Sequence, residues 1–331
     1  MALHHISKPL VLMAFLVLCR PPAAAQTCES SAELDEGTRS ALERTARQFF
    51  DYASKGDVFD LKQSTIASLS SNFANIEAVV VDQRSTYAGA QATVRASYLM
   101  EASGAEPIAH AEFLCGVWGT PSWAIFGINN LPPGRYGLVI QDVSTPKVKY
   151  VLTTVLKQEG GVWKLAGYYS KPQEIGGHDG QWFLNMAREY NAKGAAHNAW
   201  FYYLTAWDLM APVDFISTPR LDKLSEEMQS VRPSDLPTSD HPVALAASGG
   251  RTFQLIQMSA LPVDNNLDLL VKYRAPDVSD TKKTFDDNIA VIRALVARHP
   301  EFREAFAGVA ARATEPSGRD YSTLLAMEDV K

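Results

Sequence analysis

The residues best suited to chemistry by type lie in Gly176-Gly177-His178-Asp179-Gly180. Histidine titrates nearest neutral pH and ligates metals, and flanking glycines let a ligand approach the backbone. An aspartate ahead of a helical run is equally an N-cap, and a loop histidine beside a cap is the plainer account. His197 falls near the start of the second helix of a helical pair, where it would converge with His178 across the turn. Asp208 and Asp214 would supply carboxylates. A zinc-type site takes three or four ligands in defined geometry, and these residues lack a recognised spacing such as His-Glu-x-x-His. No metal and no cofactor is therefore expected. Gly-x-Ser-x-Gly and phosphate-cradling glycine loops are missing, and Cys115 has no identifiable histidine partner. Trp200-Phe201-Tyr202-Tyr203 with Trp207 would either line an apolar groove or fill the core between helices. The candidate ligand contacts are thus His178, Asp179, His197, Tyr203 and Trp207.

The N-terminus bears on where such chemistry would take place. A charged start, the apolar run Pro9–Cys19 and the exit Ala23-Ala24-Ala25 have the form of a secretory signal peptide at 1–25. The run is too short for a membrane span, and no later run reaches the roughly 18 apolar residues one requires. Losing Lys8 and Arg20 with no acid moves the net charge from -6 to -8. A mildly acidic chain without a basic run is a poor partner for nucleic acid. Cys19 leaves too, so Cys28 and Cys115 remain as an even pair. In an oxidising compartment they are expected to form a disulfide tying the N-terminal tail to a strand. The alternative for Cys115 is a reduced core thiol in the apolar run Phe113–Trp118. Ala25-Gln26-Thr27 lacks the small residue that precedes a bacterial lipidation cysteine, so Cys28 is not read as a lipoprotein anchor.

The elements that must position these residues begin with helices. Leu42, Ala46, Phe49, Phe50 and Ala53 recur on one face of 40–55, which Gly56 closes. Asp57 caps a second helix. Phe73, Ile76, Val80 and Tyr87 keep helical spacing, although Val79-Val80-Val81 leaves a strand open there. Strands follow near 94–100, 113–118, 123–128 and 136–143, with Asn129–Gly134 as a loop because two prolines cannot donate to a ladder. Two alternating runs around Gly160-Gly161, from Lys147 to Pro172, are a β-hairpin. Helices followed by an antiparallel meander are an α+β pattern, with a curved sheet wrapped around the helices. The closing run Leu156–Leu165 (LKQEGGVWKL) and the element order resemble the last strands of an NTF2-like (cystatin-like cone) domain over roughly 40–172, within a unit read as 26–172. The resemblance implies a cone enclosing a pocket, used by some members for catalysis and by others for binding or assembly. No member's catalytic pair is recognisable here, so no functional residue is carried over.

Beyond the joint Gln173–Gly180, the residues Phe183, Ala187, Tyr190, Gly194, Ala199, Tyr203 and Ala206 place small side chains where two helices approach and aromatics around them. This pattern resembles a single tetratricopeptide-type helical hairpin, with Pro212 one residue later than that family places it. About three such units are needed for a solenoid, so a lone hairpin packed on its neighbour is expected within 173–231. The stretch 232–250 reads as a linker, and 251–331 as a small ββαββ unit whose helix stops at His299-Pro300. The chain reads as an exported protein, periplasmic or extracellular, that binds or scaffolds without catalysis. Its partner would be an unknown small molecule or an envelope protein. The alternative is a hydrolase or isomerase with its acid and base in the cone, drawing on His110 or His178-Asp179.

Overall fold

The computed structural model describes residues 26–331, and the expected signal peptide lies outside them. The first element, β1 (Gln26–Ser30), was not foreseen, because QTCES carries no apolar alternation. Helix α1 (Glu36–Lys55) starts where the Asp35 carboxylate accepts the Thr38 N–H at 2.9 Å, and ends at Gly56 with φ 70°. Its buried stripe is the expected one, Leu42, Ala46, Phe49, Phe50 and Ala53. Asp57 caps α2 (Val58–Gln63), and α3 (Ala67–Ser70) is a single turn. The valine triplet lies inside α4 (Ala74–Tyr87). Ile76, Val80 and Tyr87 point into the core, and that packing outweighs the modest reluctance of β-branched residues for helix.

The strands β2 (Gln91–Ala102), β3 (Ile108–Cys115), β4 (Ala124–Leu131), β5 (Gly134–Ser144), β6 (Lys149–Glu159) and β7 (Val162–Pro172) do not form one meander. The main antiparallel sheet has the order β1-β2-β5-β6-β7, and the β3–β4 hairpin leaves it for a second sheet. The period of two sorts the side chains accordingly. Val139, Val143, Leu152 and Leu156 face α1 and α4, while Leu138, Ile140, Val151 and Val155 face the second sheet. α1 comes so close to β5 that a Cβ on Gly137 would overlap the Leu42 side chain. The expected loop at Asn129–Gly134 shrinks to Pro132-Pro133, because Asn129 and Leu131 still pair with His110 and Ile108. The disulfide is formed, joining Cys28 of β1 to Cys115 at the end of β3.

The glycine joint is itself a miniature hairpin. β8 (Glu174–Ile175) and β9 (His178–Asp179) pair around Gly176 and Gly177, both at positive φ. α5 (Gly180–Ala192) and α6 (Ala196–Met210) follow as the expected helical hairpin, turning at Gly194. The chain then returns to the first unit. Ala211 and Val213 enter the core between the two sheets, and β10 (Ile216–Ser217) pairs with Phe126 and Ile125 of β4. α7 (Pro219–Ser230) has proline in its first turn and Thr218 as cap.

The stretch 232–250 is not a free linker. Its β11 (Val243–Ala246) pairs with β12 (Thr252–Val263), and Leu245 is buried. β13 (Asn266–Arg274) follows, then α8 (Thr281–Arg298), α9 (Phe302–Ala305), β14 (Gly308–Thr314) and β15 (Asp320–Ala326). The sheet order is β11-β12-β13-β14-β15, antiparallel except for the β13–β14 pair that α8 and α9 connect. The C-terminal sheet and the α5–α6 hairpin share one core that includes Phe201, Tyr202, Val271, Leu295 and Phe302. The architecture is α+β throughout. Among the described residues no helix is long and apolar enough to cross a membrane.

Candidate functional site

A cleft of about 580 Å3 opens between the two sheets of the first unit. Val155 and Lys157 reach it from one face of β6, and Ala166 reaches it as the extra residue of a bulge in β7. Gly127 of β4 contributes no side chain, and its N–H donates to Phe215 O at 3.0 Å, which fixes the Phe215 ring beside Tyr169 with centroids 5.4 Å apart. The rim at Ile66–Ser68 is tied down by backbone bonds from Ile66 N to Leu165 O and from Leu165 N to Ser64 O, each 2.9 Å. At the floor Tyr136 is buried and donates its hydroxyl to Pro132 O at 2.7 Å. Burial pushes this phenol up to about 12, so it stays neutral. Tyr169 is raised too, by burial and then by Asp214.

The charges at the cleft are unequal. Glu159 pairs with Lys164 at 3.2 Å. Lys157 has no carboxylate within 4.0 Å among the described residues, and its Nζ lies 5.6 Å from the centre of the Tyr136 ring. Asn129 lines the same cleft and accepts from His110 Nδ1 at 2.6 Å. That bond, and then Glu112, holds the exposed His110 imidazole above its ordinary value. The arrangement is an apolar slot with one unpaired ammonium and an amide at its edge, which suits an apolar body carrying an anionic head.

A second cleft, of about 470 Å3, lies between β2, the start of α5 and α7. Its cations are already engaged. Arg95 pairs with Asp142, Lys149 lies 3.9 Å from Glu174, and Arg220 donates to Gln181 Oε1 at 2.7 Å.

The residues expected from sequence are not gathered into one place. His178 is exposed and stacks on the Trp182 ring at 3.7 Å between centroids. Asp179 caps α5, accepting the Trp182 N–H at 2.9 Å, and borders the second cleft. His197 sits at the other end of the hairpin. α5 and α6 are antiparallel, with Gly180 against Ala206 and Met210, so the start of α5 meets the end of α6 and the expected convergence of His178 with His197 does not occur. His197 instead donates from Nε2 to Asp235 Oδ1 (2.8 Å) and packs on His299. Burial, then the neighbouring His197, holds the His299 imidazole below its ordinary value. Tyr203 is buried and its hydroxyl points to Glu227 at 3.4 Å. Trp207 lies under Lys171, whose Nζ is 5.6 Å from the ring centre. Lys171 also pairs with Asp208 and with Asp214, the latter at 2.8 Å. Desolvation pulls Lys171 down, but those two bonds outweigh it and the net movement is upward.

Lys157, Asn129, Tyr136 and Phe215 were missed. Alternation did place Val155 and Lys157 on one face of β6, but nothing in the sequence showed that the β3–β4 hairpin would close over that face. No protein-family model matches the chain, and neither the curated proteins nor the solved structures gave a significant match.

Proposed function

We propose that the chain is an exported, non-catalytic binding protein, periplasmic or extracellular, that takes a single-chain anionic amphiphile into the cleft between β4 and β6–β7. The observation that carries this reading is the unpaired Lys157 beside a mainly apolar slot of about 580 Å3, within the ~300–1,000 Å3 typical of small-molecule sites. An NTF2-like relationship of the first unit and a tetratricopeptide-like origin of the α5–α6 hairpin fit the reading and stand as proposals with it. The disulfide is compatible with an oxidising compartment. A hydrolase or isomerase in the same cleft would need an acid or base poised inside it. The cleft groups with displaced proton affinity are instead the neutral phenols of Tyr136 and Tyr169.

The test uses 8-anilinonaphthalene-1-sulfonate fluorescence with the chain from Gln26 onward. The dye should bind, dodecanoate should displace it, and dodecylammonium should not. Ala166→Trp should abolish binding by filling the slot, and Lys157→Gln should weaken dodecanoate selectively. Unchanged dye and dodecanoate binding in a folded Ala166→Trp variant would sink the proposal.

A further inference from the structure

We infer that His197, His299 and Glu301 form a binding site for a divalent transition metal of the zinc type, joining the helical hairpin to the C-terminal unit. Two of the three flank Pro300, and the third comes from a distant helix. His197 lies in the first turn of α6. His299 is the C-cap of α8, where Pro300 ends the helix, and Glu301 follows that proline. One donor atom from each lies within 4.8 Å of the others. Glu301 Oε1 is 3.4 Å from His299 Nδ1 and 3.6 Å from His197 Nδ1. Both separations exceed the ~2.7–3.2 Å of an N–H···O bond. They approach the edge of a zinc tetrahedron, about 3.3–3.4 Å for bonds of ~2.0–2.1 Å. The spacing leaves room for one ion to be shared by the three donors.

The surroundings hold that geometry. Asp235 Oδ1 lies 2.8 Å from His197 Nε2. The Nε2–H donates to this carboxylate, which leaves the lone pair on Nδ1, the nitrogen facing Glu301, and such an outer carboxylate is the usual support of a metal-bound histidine. Asn198, fully buried, donates to the Glu301 carbonyl at 2.7 Å and fixes the backbone of that ligand. The Phe302 ring, also fully buried, stacks on His299 at 5.1 Å and meets His197 edge-on at 6.0 Å. The side chains of His197 and His299 are only 13% and 11% exposed. Two imidazoles and one carboxylate suit zinc, and two nitrogen donors disfavour calcium and magnesium. Three protein donors leave a further position for water. The search by sequence spacing could not find this set, since His197 and Glu301 lie in distant elements.

The experiment strips the chain from Gln26 onward with EDTA and titrates it with ZnCl2 by calorimetry and native mass spectrometry. CoCl2 absorption reports the geometry. One equivalent of zinc should bind, with a rise in Tm, and cobalt should give the visible bands of a low-coordinate nitrogen and oxygen site. His299→Gln and Glu301→Gln should lose the zinc, and Asp235→Asn should weaken it ~10–100-fold. His178→Gln, at the far end of the hairpin, should bind as the parent does. Melting in EDTA checks that each variant is folded. Should His299→Gln fail to fold, the more exposed Glu301→Gln decides. A parent that takes up no zinc, or a folded Glu301→Gln variant that binds it undiminished, overturns the inference.

Discussion

Removing the disulfide should weaken the first unit by an amount the chain length sets. Cys28 and Cys115 are bonded across a sequence separation of 87 residues, with Cα atoms 4.9 Å apart. Closing a loop of that length removes roughly 2.1 + 1.5R ln n, about 15 cal/mol/K, from the unfolded chain, or ~4.6 kcal/mol at 25 °C. The perturbation is the double variant Cys28→Ser/Cys115→Ala, with alanine chosen because Cys115 is fully buried and a hydroxyl there would lack a partner. The assay is urea unfolding of parent and variant, each with and without dithiothreitol. The parent should lose about 4–5 kcal/mol on reduction and the variant nothing. At ~2–4 °C per kcal/mol, Tm should fall by roughly 9–18 °C. The oxidised parent from Gln26 onward, denatured, should show no free thiol. A loss under about 1 kcal/mol would refute the loop-closure reasoning, because the 87-residue segment would then be constrained in the unfolded chain by something other than the bond.

Two further outcomes rest on buried or paired groups. Asn288 is fully buried, accepts from Tyr273 Oη at 2.8 Å and donates to Thr323 Oγ1 at 2.9 Å, which pins α8 to the C-terminal sheet. Asn288→Leu should cost about 2–3 kcal/mol by stranding the phenol. Adding Tyr273→Phe should cost little more, so in a denaturation cycle the double variant's penalty should fall well short of the sum of the two single penalties. Arg188 makes a two-pronged pair with Glu227, both bonds 2.8 Å, linking α5 to α7. The bond to Arg188 holds the Glu227 carboxyl below its ordinary 4.5. The folded state therefore releases that proton more readily than the unfolded chain. The contribution is complete above about pH 5 and disappears as the pH falls through the folded value. Arg188→Met should be less stable by ~0.2–1 kcal/mol at pH 7, given the exposure of the pair. Once the pH has fallen below the folded value the two proteins should be closely matched, and a difference independent of pH would rule the pair out as its source.

Local signals carried the helices well. The stripe and closing glycine of α1, the turn at Gly194 and the helix stop at His299-Pro300 each depend on residues within one or two turns of each other. The β6–β7 hairpin was equally plain. What stayed hidden was pairing between distant segments. β10 has two residues and gains its place only from β4, and β11 sits in a proline- and serine-rich stretch that composition assigns to a linker. The cleft belongs to the same category, since its walls come from β4, β6, β7 and Phe215. The error over His178 and His197 differs in kind. An antiparallel hairpin turning at Gly194 already implies that the beginnings of its two helices lie apart, so the geometry needed to separate them was present in the sequence.

The return of the chain to β4 has a consequence for synthesis. Pro172 closes the main sheet, yet Val213, Ile216 and Leu221 fill the core between the sheets and β10 covers an edge of β4. A nascent chain emerging N-terminus first must pass the roughly forty residues of the helical hairpin before that edge is met. At ~5–20 residues per second the interval is about 2–8 s. Throughout it β4 presents an open hydrogen-bonding edge above an unfilled apolar seam, the kind of surface that recruits another strand. In such a vectorial folding order the length of the helical hairpin would set that interval. Lengthening it should raise aggregation of the newly made protein while leaving the folded molecule as stable as before.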